Sequence, residues 1–300
     1  MRPPSTIARS YTQLSTGLKM EHLIAEPSRP TAAPPVLFVH GTFHGAWCWE
    51  ARWMARLAEA GVECHAVSLR GTSASPDPDA RSVKISQHVD DLRSFVDVAF
   101  PSRPPPILVG HSFGGAHCLK YIEGGGPASG VALLCSVPPS GNGPMTARFL
   151  RRSLRQAFLI TRGFAMKTAA RSADDARALF FDERTPDDEI ATYLPRLEAD
   201  SRVGLDLGDF ARNLPSKNTV ADGRAAWLAD YAPRARLVVG CERDAVVDAE
   251  GVEETARFMG VDAEIFSGMP HDLMLCEGWE APADRLIEWA SQIRADECRT

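Results

Sequence analysis

Short runs of consecutive apolar residues recur along the chain. Most of these runs are followed by a segment in which apolar residues recur with helical spacing. The apolar runs cover residues 36–39, 62–69, 106–109, 131–137, 235–239 and 263–266. Continuous runs of this length are typical of parallel strands that are buried on both faces. Two further stretches, residues 10–15 and 18–25, predict a pair of strands that turns at Gly17.

Helical spacing fills most of the intervals between these runs. It predicts helices over residues 46–60, 85–100, 252–259 and 280–294, and another that begins at Gly115. Strands that alternate with helices in this order predict an α/β fold with a mostly parallel central sheet flanked by helices on both faces.

The alternation stops at Pro138-Pro139, and strand-like runs do not return until residue 235. The intervening pattern is helical, and one apolar face is expected to consist of Leu150, Leu154, Ala157 and Phe158. We interpret this segment as a helical cap over the carboxyl edge of the sheet, where open α/β sheets bind ligands. The expected organisation is a flexible segment over 1–9, a core over 10–137 and 221–300, and a cap over 138–220.

Composition narrows the functional classes. The formal net charge of −6, from 33 basic and 39 acidic residues, argues against a nucleic-acid-binding protein. No apolar run approaches the roughly 18 residues that a membrane span requires. Neither nucleic acid nor a membrane span is therefore expected, while a homodimer stays open.

The seven cysteines are scattered, and no two of them form a C-x-x-C pair. This usage indicates reduced thiols, not a disulfide framework or a zinc site. Residues 1–20 carry basic residues and no acid, as transit peptides do, but they lack a secretory apolar core and their second half is needed as a strand. We therefore expect a cytoplasmic protein with no metal and no cofactor.

The strongest chemical signal is Gly110-His111-Ser112-Phe113-Gly114, a G-x-S-x-G pattern between an apolar run and a helical segment. In that setting the serine lies on a sharp strand-to-helix turn, with its hydroxyl exposed at the top of a sheet. The glycines are needed because a side chain at either position would clash with neighbouring backbone. The pattern predicts Ser112 as a nucleophile.

A serine nucleophile needs a base, and the base needs a carboxylate that orients it. His271 follows the last predicted strand, and Asp244 lies in the loop after residues 235–239. The chain order serine, aspartate, histidine is the one expected for this sheet architecture. Glu242 and Asp248 stay open as alternatives for the acid.

The tetrahedral intermediate needs hydrogen-bond donors for its oxyanion. One predicted donor is the backbone N–H of Phe113, directly after the nucleophile. The second is predicted to be the N–H of Thr42, in the loop that follows residues 36–39. His40 is expected to orient this loop through a hydrogen bond.

With these motifs in place, the chain resembles an α/β-hydrolase over residues 10–295. Residues 40–49, HGTFHGAWCW, are similar to the H-G-x-x-H-G-x-W-x-W signature of the methylesterase and hydroxynitrile-lyase branch. The stretch HDLML at 271–275, followed by GWE at 278–280, is similar to the tails of microbial esterase-like members. The resemblance implies the α/β-hydrolase fold with an inserted helical cap.

Two positions separate the activities within that branch. The lyases tend to carry threonine after the first histidine of the signature and lysine after the catalytic histidine. Here the corresponding residues are Gly41 and Asp272, which favours ester hydrolysis. Epoxide hydrolases and dehalogenases of this fold place aspartate at the nucleophile, which Ser112 contradicts.

The sequence therefore predicts a serine hydrolase that cleaves a small to medium apolar carboxylic ester through an acyl-enzyme. The residues expected around the substrate are His40, Phe43, Trp47, His111, Phe158 and Met274. The alternatives are a lyase or cyclase of natural-product tailoring, a thioesterase or a lactonase. A ligand-sensing receptor of the same fold is a further alternative.

Overall fold

A central sheet of eight strands organises the computed structural model, which describes residues 6–294. The strands in chain order are β1 (Ile7–Gln13), β2 (Lys19–Ala25), β3 (Val36–Val39), β4 (Cys64–Val67), β5 (Ser82–Val83), β6 (Ile107–His111), β7 (Gly130–Leu134), β8 (Gly204–Leu205), β9 (Arg236–Cys241) and β10 (Ala263–Phe266). The order across the central sheet is β1-β2-β4-β3-β6-β7-β9-β10. β5 and β8 pair with each other in a small separate sheet.

Parallel pairing dominates the central sheet. The β1/β2 and β2/β4 pairs are antiparallel, and the pairs from β4 through to β10 are parallel. Every residue of β3, β4, β6 and β7 is buried, so both faces of the sheet are covered. The predicted mostly parallel sheet with flanking helices is confirmed.

Helices connect and cover the strands. They are α1 (Trp47–Glu50), α2 (Trp53–Glu59), α3 (Ile85–Ala99), α4 (Phe113–Glu123), α5 (Asn142–Arg152), α6 (Leu154–Ala165), α7 (Ala173–Leu179), α8 (Asp187–Asp200), α9 (Leu207–Arg212), α10 (Ala249–Met259) and α11 (Glu280–Ser291). No helix in this described part of the chain is long and apolar enough to cross a bilayer.

The helix predicted over residues 46–60 is two helices, α1 and α2. Arg52 lies between them with φ −146° and ψ −53°, outside the helical region. Its guanidinium reaches the carbonyl oxygen of Cys276 at 2.8 Å and the carboxylate of Glu189 at 2.7 Å. The chain turns at a residue whose side chain ties this segment to the loop containing Cys276 and to α8.

The expectation that residues 1–9 form a flexible segment is wrong for residues 7–9. β1 begins at Ile7, and its first three residues pair with residues 23–25 of β2. Arg9 also forms an ion pair with buried Glu21 at 2.9 Å, which helps to hold this end of β1 against β2. Residues 1–5 lie outside the described residues.

The segment between β7 and β9 contains α5 to α9 and β8, and it differs from prediction in which side chains it buries. Ala157 is buried, but Leu150, Leu154 and Phe158 are 52%, 73% and 65% exposed. The periodicity is reset because Ser153, at φ −156° and ψ 105°, separates α5 from α6. The expected apolar face assumed one continuous helix and is wrong.

Candidate active site

The Ser112 elbow joins β6 to α4 with backbone angles that non-glycine residues rarely adopt, φ 55° and ψ −123°. The Ser112 N–H donates to the Leu134 carbonyl at 3.0 Å, and the Ser112 carbonyl accepts from the Val137 N–H at 3.1 Å. The two bonds tie the elbow to the last residue of β7 and to the segment that follows it. The strained turn is therefore held by the neighbouring strand.

Two glycines of the elbow have no room for a side chain. A Cβ on Gly110 would lie 2.6 Å from the Gly114 carbonyl oxygen. A Cβ on Gly114 would lie 2.2 Å from the Val39 carbonyl oxygen, at the end of β3. Both neighbours are backbone atoms that cannot rotate away, so the G-x-S-x-G pattern reflects the packing of backbone on backbone.

His271 and Asp244 are brought together across 27 residues of chain. The His271 Nδ1–H donates to Asp244 Oδ2 at 2.8 Å, and both side chains are buried. Asp244 Oδ1 accepts from the N–H groups of Val246 and Val247, each at 2.8 Å. With one oxygen fixed by backbone donors and the other holding Nδ1–H, His271 keeps Nε2 free to accept a proton.

The two alternative acids are used elsewhere. Glu242 accepts from the Ser267 hydroxyl at 2.6 Å and from the Gly268 N–H at 2.7 Å. Asp248 caps α10 and binds the guanidinium of Arg148 through two hydrogen bonds of 2.7 Å. Each carboxylate therefore serves its own loop or helix, whereas Asp244 binds His271.

The charge of Asp244 changes the basicity of His271. Burial acts to lower the pKa of the His271 imidazole, but the charge of Asp244 and its hydrogen bond outweigh burial. The net pKa lies above the ordinary value of 6.5. A histidine with a raised pKa is a stronger base once it has lost its proton.

His111 links the elbow to the His271 loop. Its Nε2–H donates to the His271 carbonyl at 3.0 Å, and the two rings lie 4.7 Å apart. Burial, followed by the charge of His271, lowers the pKa of His111 to about 3. His111 is thus a neutral packing residue between the two loops.

The loop after β3 reaches over the elbow, and His40 fixes its first peptide. The His40 Nε2 accepts from the Leu69 N–H at 2.9 Å, which leaves the proton on Nδ1. Nδ1–H then donates to the Gly41 carbonyl at 2.8 Å. That carbonyl shares a peptide plane with the Thr42 N–H, so His40 controls where the predicted oxyanion donor points.

Gly41 is the point of contact between this loop and Ser112. A Cβ on Gly41 would lie 2.7 Å from the Cβ of Ser112 and 3.2 Å from the His111 carbonyl oxygen. The next residues, Thr42 and Phe43, line a cavity together with Ser112. The absence of a side chain at Gly41 thus lets the loop approach the serine.

The cavity beside Ser112 has a volume of about 340 Å³. Its apolar lining includes Phe43, Phe113, Val137, Met145, Phe149, Ile160, Phe164, Leu205, Leu207 and Val246. Among the residues described, Asn142 contributes a buried Oδ1 with no hydrogen-bond partner. The cavity suits an apolar group.

Sequence reasoning identified part of this lining. Thr42, Phe43 and Phe113, which the sequence predicts at the site, border the cavity with Ser112. Asn142, Ile160 and the residues from β8 onward were missed. No sequence motif marks these residues: most lie in the segment between β7 and β9, and Val246 lies in the loop after β9.

Three residues expected around the substrate lie away from the cavity, so those predictions are corrected. Trp47 stacks on His44 and donates its indole N–H to Asp200 at 2.8 Å. Phe158 is 65% exposed, with the Arg162 guanidinium over its ring. Met274 is fully buried and is not among the lining residues.

His40 and His111 also stay behind the cavity surface. The hydrogen bonds of His40 hold the loop after β3, and that of His111 holds the His271 loop. Neither side chain is part of the cavity lining. Both residues hold backbone of the site through these hydrogen bonds, and their direct contact with substrate stays a prediction.

Comparison with known proteins assigns the chain to a family. The model of the alpha/beta hydrolase family matches residues 36–289, which is most of the chain. The chain therefore belongs to the alpha/beta hydrolase family. The solved structure of epoxide hydrolase A from Mycobacterium thermoresistibile aligns with a TM-score of 0.69 over 96% of this chain and 99% of its own. The two sequences are 16% identical, so the likeness shows a shared fold and nothing about activity.

Curated relatives match over shorter stretches. The chain is 30% identical over 138 residues to the probable esterase PIR7A of Oryza sativa subsp. indica, covering 44% of this chain and 51% of that protein. It is 35% identical over 79 residues to methylesterase 10 of Arabidopsis thaliana, covering 26% of this chain and 28% of that protein. The chain thus spans about half the length, or less, of these relatives.

The contact at Gly41 predicts a selective loss of activity. In Gly41→Ala the new methyl group must displace Ser112 or the loop, and a misplacement of about 1 Å costs roughly 10²-fold in rate. We expect kcat for ester hydrolysis to fall by about that factor while the protein stays folded, as measured by steady-state kinetics and thermal unfolding. Gly143→Ala is the control, since a Cβ there meets no atom within 4 Å. Equal kcat in both variants would contradict the contact.

The raised pKa of His271 predicts the acid limb of the pH–rate profile. Only neutral imidazole can accept the serine proton, so kcat/KM should rise with pH through a midpoint above 6.5. Asp244→Asn removes the charge that raises the pKa and leaves the lowering effect of burial. Its midpoint should move to lower pH, and its plateau should fall by about 10⁴-fold. A midpoint that does not move in Asp244→Asn would contradict the pairing.

Proposed function

We propose that this protein is a serine hydrolase that cleaves a small to medium apolar carboxylic ester through an acyl-enzyme. The observation that carries the proposal is the buried His271–Asp244 pair, which is joined through His111 to the strained Ser112 elbow. The relatives that carry the names esterase and methylesterase support an ester as the substrate. These matches cover only part of each protein, so the main support for the proposal is the chemistry of the site.

In the first half of the reaction, Ser112 Oγ attacks the ester carbonyl while His271 Nε2 takes the hydroxyl proton. The carbonyl oxygen becomes an oxyanion that accepts hydrogen bonds from the N–H groups of Thr42 and Phe113. Asp244 stabilises the imidazolium and holds its orientation. Collapse of the intermediate breaks the bond to the alcohol oxygen, which takes the proton from His271 and leaves as a free alcohol.

In the second half, a water molecule attacks the acyl-enzyme. His271 takes one proton of that water as the new carbon–oxygen bond forms, and the oxyanion again lies between Thr42 and Phe113. The bond to Ser112 Oγ then breaks, and His271 returns its proton to the serine. The products are a carboxylic acid and the regenerated enzyme.

The acyl group is proposed to occupy the cavity of about 340 Å³. We propose that residues 138–220 form a cap, because α5 and α6 supply Met145, Phe149, Ile160 and Phe164 to the cavity wall. The six cysteines among the described residues are buried free thiols, which supports a reducing compartment such as the cytoplasm.

Gly41 and Asp272 favour hydrolysis over the lyase alternative. A threonine at position 41, as lyases tend to carry, would place its Cβ 2.7 Å from the Ser112 Cβ, so the nucleophile would have to move. At the position where lyases tend to carry lysine, Asp272 forms an ion pair with His44 at 2.9 Å. Both positions are therefore occupied in a way that suits attack by the serine.

A series of p-nitrophenyl esters from acetate to dodecanoate tests this function. Each methylene buried in the cavity contributes about 0.8 kcal/mol, so kcat/KM should rise about fourfold per methylene until the cavity is full. Ser112→Ala should lower kcat by about 10⁶-fold with an unchanged unfolding temperature. Folded wild-type protein that turns over none of these esters would refute ester hydrolysis.

A further inference from the structure

A second buried pair of histidine and carboxylate joins the loop that follows β3 to the residue after His271. His44 Nε2 is 2.9 Å from Asp272 Oδ2, and the side chains are 1% and 0% exposed. Neither residue takes part in the proton transfers of the proposed mechanism. A charged pair in this position needs an explanation, because a buried ion pair often adds no more stability than apolar residues of similar volume would.

We propose that the His44–Asp272 ion pair positions the oxyanion loop, residues 40–45, for catalysis by holding the Thr42 carbonyl. The inference rests on the proposed ester hydrolysis, because it assigns a role to the same site. His44 and Asp272 are positioning residues that act through the backbone of the loop.

The hydrogen bonds of His44 define its charge. Nδ1 lies 2.9 Å from the Thr42 carbonyl oxygen, and Nε2 lies 2.9 Å from the Asp272 carboxylate. Both partners are acceptors, so both ring nitrogens must carry protons and the ring is an imidazolium. Burial acts to lower the pKa of His44, but the charge of Asp272 outweighs it and the net pKa is raised.

The bond from His44 completes the fixation of Thr42. His40 holds the Gly41 carbonyl, on the N-terminal side of Thr42, and His44 holds the Thr42 carbonyl on the other side. Phe43, which follows, has a φ of 68°, a left-handed conformation that is costly for an aromatic residue. Without the bond from His44, the peptide between Thr42 and Phe43 is free to leave this conformation and take the Thr42 N–H with it.

Asp272 is placed to coordinate this loop with the catalytic base. It follows His271 directly in the chain, and its N–H donates to the Phe180 carbonyl at 2.9 Å. Its second oxygen, Oδ1, lies 3.9 Å from His111 Nε2, next to the nucleophile. The Asp272 carboxylate thus contacts the oxyanion loop and lies close to the elbow. The backbone of Asp272 is bonded directly to His271, the proposed base.

Asp272→Asn tests the proposal, because it keeps the size of the side chain and removes its charge. Loss of one oxyanion donor typically lowers kcat by about 10²–10³-fold, so a displaced donor should lower kcat by at least about tenfold with KM changed less than about twofold. Asp91→Asn is the matched control: Asp91 is also fully buried and is bound by Arg70 and Thr16. It should lose stability and keep kcat within about twofold of wild type.

A double variant, His44→Leu with Asp272→Val, keeps the test valid if Asp272→Asn does not fold. It replaces the ion pair with apolar side chains, which buried sites tolerate, and it still removes the bond to Thr42. Folded protein with kcat lowered at least about tenfold supports the proposal. Folded protein with kcat within twofold of wild type overturns it.

Nuclear magnetic resonance of ¹⁵N-histidine-labelled and amide-labelled protein separates this inference from the proposed function. Wild type should show His44 protonated at both nitrogens at neutral pH, and Asp272→Asn should lose one proton and shift the Thr42 and Phe43 amide signals. If wild type hydrolyses no ester but these signals behave as stated, ester hydrolysis fails and the positioning of the loop stands. If His44 is neutral in wild type, or the amide signals do not move, the positioning role is refuted whatever the activity.

Discussion

The site depends on the close packing of two backbone turns at the ends of adjacent parallel strands. β3 and β6 pair in register, with Val39 opposite Gly110, so the loop after β3 meets the serine elbow directly. Gly114 packs against the Val39 carbonyl, and Gly41 packs against Ser112. Because these contacts involve backbone and the Cβ of Ser112, which cannot rotate away, the packing fixes Ser112 and the proposed oxyanion donors before substrate arrives, and their alignment would cost no reorganisation during the proposed reaction.

Two buried histidine–carboxylate pairs surround this contact, and their hydrogen bonds give them different roles. In the His271–Asp244 pair only Nδ1 is bound to the carboxylate, so Nε2 is available for proton transfer. In the His44–Asp272 pair both nitrogens of the ring are bound, so that histidine has no free position for a proton. We therefore assign the first pair to proton transfer and the second to holding a loop.

The sequence predicts the succession of strands and helices along the core and the candidate triad because both depend on short-range patterns. The elbow and the loop containing Asp244 each follow an apolar run that could be recognised alone. The break at Ser153 was missed because apolar spacing continues across it. The wrong expectation that Phe158 belongs to a buried apolar face followed from that error. The contact between His44 and Asp272 spans 228 residues, and no local pattern in one chain indicates such a pairing.

An acyl-enzyme on Ser112 distinguishes a serine hydrolase from the other activities that this fold supports. The direct measurement is mass spectrometry of protein mixed with p-nitrophenyl butyrate and quenched in acid within the first turnovers. The predicted result is a butyryl group on the peptide that contains Ser112, together with a burst of p-nitrophenol. Turnover of the ester with no acyl group on that peptide would contradict nucleophilic catalysis by Ser112.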